Sequence, residues 1–268
     1  MKAACRYVFR ERNTRRLTLL TLLLASLAHP ARSIGQEEAT VESSSSVLPS
    51  DPASPSVRVP PPPKPHDFNT DIYYRNKLEF SLETGGLPIN IPFVFDVFEG
   101  GDYSQKPLHY TLVPIFPSLR WHMGNVRGPW ILRGNTDLTV SLSVTAIPRG
   151  PEKVYGAFDL GVRRNFVYRN RRASPYFEFR TGAGFIDAQA PHGVQYAQGQ
   201  DFTFTLWLGA GIRYNFNPRY SISLGPTYMH VSNLYMSEPK YEDTGINVTG
   251  GVIGFNVRLG KPKASSGN

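Results

Sequence analysis

The chain has 268 residues, 40% of them hydrophobic, with 24 Gly and 23 Pro, enough for one sizeable domain or two small ones. Its net charge of +8 points to an anionic partner, yet residues 1–33 hold seven Lys or Arg and one Glu, six of the eight positive charges. The rest is nearly neutral, which argues against nucleic acid, and the only cysteine, Cys5, lies in that same segment, so the chain beyond it has no disulfide, zinc-thiolate site or cysteine nucleophile.

The first element in chain order is a leader. Lys2, Arg6, Arg10, Arg12, Arg15 and Arg16 precede an apolar run over residues 17–28 that breaks at Pro30. A basic stretch followed by an apolar run too short to span a bilayer is the pattern of a secretory signal peptide, here residues 1–33, with cleavage expected after Ala28 or Ser33. Cys5 is misplaced for a lipid-anchoring signal. Residues 34–69 are rich in Ser, Pro and Glu, including Ser43–Ser46 and Pro60–Pro63. They hold few large apolar groups to bury and read as a disordered linker or tether.

From residue 70 to about 260 the pattern changes to alternation with period two, the mark of half-buried strands. Eight segments show it: 78–84, 110–121, 130–145, 154–166, 176–185, 202–214, 219–231 and 245–259. Residues 132–144 place aliphatic groups at most even positions and polar groups at odd ones; residues 202–214 put Phe202, Phe204, Leu206, Leu208, Ile212 and Tyr214 on one face. An even number of such strands closes without edges, so the expected fold is all-β: an eight-stranded antiparallel transmembrane barrel, followed by a polar tail over residues 261–268. Short connections after the even strands and long ones after strands one, five and seven put the N-terminus in the periplasm of an exported outer-membrane protein.

The polar rows carry Glu79, Glu83, Arg120, Arg133, Asp137, Asp159, Arg163, Glu178, Arg180, Arg213 and Arg258. Acids and bases nearly balance, and an eight-stranded barrel is only wide enough for side chains, so these should form paired networks in a plugged interior. Trp121, Trp130, Phe166, Tyr214, Tyr220 and Tyr228 suit the interfacial aromatic girdles. The competing reading, a soluble lipocalin-like barrel, would turn the apolar rows inward.

Strand seven breaks its own pattern. Its even row, Tyr220, Ile222, Leu224, Pro226, Tyr228, ends in His230 and Ser232, whose Cα atoms lie about 7 Å apart on one strand face. Rotamer choice can bring the imidazole to the hydroxyl, the pairing in which histidine takes the proton as serine attacks an ester. On strand eight the outward row Leu259, Val257, Phe255, Ile253 continues through Gly251 and Thr249 to Asn247, at the same height as the histidine. The other histidines show no spacing for metal ligation, and no cofactor is expected.

The run His230-Val231-Ser232-Asn233, followed by Gly245-Ile246-Asn247, resembles the signature of the outer-membrane lipid A 3-O-deacylase (PagL-type) family. The resemblance covers about residues 75–260 in segment order, including Phe202-Thr203-Phe204 and Gly209-Ala210-Gly211, and is sharpest in strand seven. It implies an eight-stranded barrel that hydrolyses the 3-O-linked acyl chain of lipid A without a metal. Carried over by position, it implies Ser232 as nucleophile, His230 as general base and Asn233 as a donor to the oxyanion. Two positions depart from the family pattern: Asn247 stands where members place a glutamate that orients the histidine, and Tyr235 where they place an oxyanion-hole glycine. An asparagine can fix the imidazole tautomer but brings no charge; Glu242 or Asp243 are the nearby carboxylates. The partners implied are lipopolysaccharide and the outer membrane, with a homodimer left open. The alternative is a non-catalytic barrel for adhesion, envelope integrity or lipid binding through loops 85–107 and 187–201.

Overall fold

The structure is a computed structural model, and it describes residues 67–93, 109–189, 198–234, 236–237 and 245–260. The expected signal peptide, most of the linker, the polar tail, and Tyr235, Glu242 and Asp243 lie outside the described residues. Eight strands follow one another: β1 (Leu78–Asn90), β2 (Thr111–His122), β3 (Gly134–Arg149), β4 (Val154–Phe166), β5 (Ala173–Ile186), β6 (Phe202–Asn215), β7 (Tyr220–Ser232) and β8 (Ile246–Leu259). They form a closed barrel in sequence order, and β8 returns to β1 with Leu259 opposite Leu78 and Phe255 opposite Leu82. Helix among the described residues is confined to two 3-10 turns, Phe68–Asp71 and Trp130–Leu132.

The alternation in the sequence decides which way each row points. On β3, Asn135, Asp137, Thr139, Ser141, Ser143 and Thr145 are buried, while Leu142 and Val144 between them are exposed. Leu82, Ile115, Phe158, Leu160, Phe177, Leu224, Ile253 and Phe255 are likewise exposed around the outside. A soluble barrel would show the reverse, and an apolar wall of this extent requires hydrocarbon around it.

Inside, charges are matched in layers. Glu83 accepts hydrogen bonds from Arg120 at 2.7 Å and Arg163 at 3.0 Å, and also from Arg180. Glu178 accepts from Arg163 at 2.5 Å and Arg180 at 2.9 Å. Nearer the barrel end where β1 begins, Arg213 grips Glu79 with two bonds of 2.7 Å, and Lys77 and His122 approach the same carboxylate. The period-two pattern puts Arg133 in this interior. It sits instead at the mouth, donating to Asp67 at 2.6 Å and to the Val167 carbonyl at 2.9 Å, because β3 starts one residue after it.

The interior is also less uniformly polar than the rows of charges suggested. Toward the other end, Leu87, Leu112, Phe116, Ile147, Ile186, Trp207, Met229, Val231, Ile246 and Val248 pack into an apolar core. Several strand limits differ from expectation as well, two of them instructively. β1 runs beyond Thr84 because Gly85, Gly86 and Pro88, expected to open the loop over 85–107, are absorbed by a register shift between Gly86 and Ile89. Trp130–Leu132, expected as the start of a strand, is a 3-10 turn with Trp130 at φ 25°.

Residues 67–77 close the mouth below β1. Asp67 caps the first 3-10 turn by accepting from the Asn69 amide at 3.1 Å, and takes a second 3.1 Å bond from the Asn170 amide. Ile72 and Tyr73 pack on Val167, and the Tyr73 hydroxyl accepts from Asn215 at 3.0 Å. Burial works against the charge on Asp67, but the Asn170 amide, Arg133 and the Asn69 amide outweigh it and hold its carboxyl below the usual 3.8.

Candidate active site

At the barrel end opposite this plug, β7 and β8 bring three polar residues onto the outer wall. His230 faces Asn247 directly across the strand pair, and Ser232 lies beside Phe204 of β6. The register makes this unavoidable: Met229, Val231, Ile246 and Val248 are locked inward in the apolar core, so their neighbours at 230, 232 and 247 point out.

The side chains in this cluster are held by specific bonds. Asn247 Oδ1 accepts from His230 Nδ1 at 2.8 Å and from the Tyr228 hydroxyl at 2.6 Å. With Nδ1 carrying the proton, Nε2 is left with its lone pair, the form a general base needs. Ser232 Oγ accepts from the Leu234 amide at 3.0 Å across a corner where Leu234 adopts φ 55°. Asn233 is fully buried and donates from Nδ2 to Ser237 Oγ at 2.7 Å.

Packing fixes the ring from both sides. Phe93 lies 4.3 Å from the His230 ring, centre to centre, at 33°. The Ile91 amide donates to the Asn247 carbonyl at 3.2 Å, which carries the pairing with β8 one residue beyond Asn90. Ile91 and Phe93 thereby cover an outward patch of Phe179, Leu206 and Tyr228, apolar ground beside the polar cluster. On the remaining side stands Gly245 at φ 61°; a Cβ there would come within 2.9 Å of His230 Cε1 and 3.6 Å of Ser232 Cβ. The imidazole and the serine thus share one close-packed position that only glycine leaves open.

The structure brings together His230, Ser232, Asn233 and Asn247 at one rim. His122, the other strand-end histidine, is buried inside at the opposite end, with Asp137 and Glu79 3.1 and 3.2 Å from its two ring nitrogens. Three contributors were not anticipated from sequence. Tyr228 was placed in the girdle, but it is 6% exposed and its hydroxyl belongs to the histidine's hydrogen-bond chain. Its position, two residues before His230 in the same row, was the available signal. Gly245 was part of the motif without a stated role. Phe93 lies beyond the predicted end of β1, where no local pattern marks it.

Over residues 116–256, from β2 into β8, the chain matches the model of a family described as lipid A 3-O-deacylase (PagL). Among solved structures it is similar to the outer membrane enzyme PagL, at 15% identity and a TM-score of 0.43, covering 68% of this chain and 99% of that one. It is also similar to de novo designed transmembrane β-barrels, at 12% identity and a TM-score of 0.30, covering 69% of this chain and 97% of that one. No curated protein matches. The family match takes in more than half of the 268 residues and contains the whole rim cluster, and the chain belongs to the lipid A 3-O-deacylase (PagL) family.

Proposed function

We propose that this protein is an outer-membrane esterase that removes the 3-O-linked acyl chain of lipid A, with Ser232 as nucleophile and His230 as general base. His230 Nε2 takes the Ser232 hydroxyl proton as Oγ attacks the ester carbonyl, and the carbonyl electrons move to its oxygen. Asn233 donates to that oxyanion. Collapse of the tetrahedral intermediate expels the sugar 3-oxygen, which takes the proton from the imidazolium. Water, deprotonated by the same histidine, then releases the acyl chain from Ser232 as a carboxylate and restores the enzyme.

The observation that carries this reading is the 2.8 Å bond from His230 Nδ1 to Asn247 Oδ1 on an outward face otherwise apolar. A neutral amide is sufficient to select the reactive tautomer, and Tyr228 steadies it by donating to the same oxygen. The outward position of the cluster suits a substrate that arrives sideways from the outer leaflet, with the N-terminus and the linker over residues 34–69 in the periplasm once residues 1–33 are removed.

The experiment is mass spectrometry of lipid A incubated with the purified protein. Wild type is expected to remove one hydroxyacyl chain, and Ser232→Ala and His230→Ala are each expected to lower the rate by about 10⁴ or more with the barrel still folded. Undiminished hydrolysis in either variant would overturn the assignment, and unchanged lipid A with wild type would favour a non-catalytic barrel.

A further inference from the structure

The mouth opposite the candidate site has a surface of its own that the deacylase reading does not use. Three turns form its rim, residues 123–133, 167–172 and 216–219, and together they hold six arginines with no lysine, aspartate or glutamate. The plug over residues 67–77 adds Asp67, Asp71 and Arg75, while Lys77 is buried against Glu79 inside the barrel, so the rim keeps a clear excess of positive charge. Two of the six arginines brace the fold: Arg133 on Asp67, and Arg172 on the Phe216 carbonyl and the Phe68 ring. Arg127, Arg171 and Arg219 are exposed at the rim.

Beside these cations stand large apolar groups without protein cover. Trp130, Ile131 and Leu132 are 83%, 52% and 58% exposed on the 3-10 turn, between Arg127 and Arg133 in the chain. Trp121, Tyr214, Phe216 and Tyr220 are exposed at the adjoining strand ends. Exposed apolar side chains beside a guanidinium rim, with Arg219 5.4 Å from the centre of the Tyr220 ring, match a lipid leaflet in cross-section, with hydrocarbon beneath and phosphate at the edge. Arginine in particular offers the planar fork that grips a phosphate with two bonds.

We propose that this rim docks anionic phospholipid headgroups, with Trp130, Ile131 and Leu132 seated among the acyl chains and Arg127, Arg171 and Arg219 on the phosphates. That this leaflet is the inner one rests on the deacylase reading, which puts the site at the outer leaflet. The preference for anionic lipid does not depend on it. Charge complementarity supplies selectivity, and the continuous apolar wall of the barrel supplies the depth at which the arginines sit.

The test reconstitutes the full chain in phosphatidylcholine vesicles carrying spin-labelled phosphatidylglycerol or spin-labelled phosphatidylcholine, and compares the protein-restricted fraction of each label by electron spin resonance. Wild type is expected to favour phosphatidylglycerol by about fivefold. Replacing Arg127, Arg171 and Arg219 with Gln should bring the ratio close to one, while the corresponding Lys variants keep part of it. The Gln variant should retain deacylation in detergent, and Ser232→Ala should retain the lipid preference, so the two readings fail separately. If the triple variant does not fold, the single variants Arg171→Gln and Arg219→Gln should each lower the ratio. Equal partition in wild type, or an undiminished ratio in the Gln variants, overturns the proposal.

Discussion

The two ends of the barrel use opposite polarity. Around Glu79 and Arg213 the interior is ionic and the outer wall is apolar, as the strand pattern demands. Around His230 the interior is Met229, Val231, Ile246 and Val248, and the polar groups stand on the outside. A histidine set in the ionic interior would have carboxylates at both ring nitrogens, as His122 nearly does. His230 is backed by hydrocarbon instead, with Asn247 accepting from its Nδ1 and Tyr228 donating to the same amide oxygen, on a platform packed tightly enough to hold a ring in one orientation. On the proposed function, the difference puts stability at one end and chemistry at the other, and each can be broken alone.

The largest expected effect is on the ionic end. Glu83→Ala removes the acceptor shared by Arg120, Arg163 and Arg180 and leaves buried guanidinium charge uncompensated. A broken buried pair costs about 3–5 kcal/mol. Urea unfolding in detergent micelles should register that loss, while deacylation per folded molecule stays near wild type. A fall in specific activity as large as the fall in stability would show that the two ends are coupled.

At the other end the order reverses. Gly245→Ala places a methyl group within 2.9 Å of His230 Cε1 at a φ of 61°. A ring displaced by a fraction of an ångström loses about 10²-fold in rate, and a left-handed alanine costs only about 1 kcal/mol of stability. The expected result is a kcat loss far larger than any shift in melting temperature, read from lipid A hydrolysis beside heat-modified gel mobility. Equal, small changes in both would mean that Gly245 merely ends the loop.

Much of this division is legible in the sequence, and what is not has a physical reason. Period-two alternation assigns the two faces on β3 and β6 without ambiguity, and parity alone puts His230, Ser232 and Asn247 on one face. Parity says nothing where both rows turn apolar, so the apolar core behind the site was hidden among residues such as Met229 and Val231. Tyr228 was legible as an aromatic near a strand end but not as a donor to Asn247, because that bond depends on a neighbouring strand. Phe93 reaches His230 only from the chain beyond the end of β1, and Gly85-Gly86 looks like the start of a loop until β8 supplies a partner to bridge it.

A gain of function would sharpen the role of the amide. Asn247→Asp preserves the geometry of the 2.8 Å bond to His230 and the 2.6 Å bond from Tyr228, and it adds the charge that stabilises an imidazolium during the reaction. A charge-assisted bond exceeds a neutral one by about 1 kcal/mol, so kcat for lipid A should rise by roughly fivefold to tenfold. An aspartate variant slower than wild type would mean that Asn247 acts through its Nδ2 donors, and the tautomer argument would fail with it.

The smallest effect probes the ionic end at its rim, where Asp67 ties the plug to the turn at Asn170 and to Arg133. Its folded carboxyl titrates below 3.8, so the ionised form is the one the fold favours. The stabilisation is therefore complete above that value and is lost as pH falls through the folded pKa. Asp67→Asn keeps an acceptor for the Asn69 amide but gives up the charge, at a cost of about 1 kcal/mol or roughly 2–4 °C in melting temperature for a domain of this size. Melting curves of the two proteins should differ at pH near neutrality and converge in acid below the usual carboxylate range, with deacylation equal throughout the range where both are folded. Curves that stay parallel into acid would mean that Asp67 acts through its shape rather than its charge. A matching loss of deacylation would mean that the plug reaches the far rim, against the separation of the two ends.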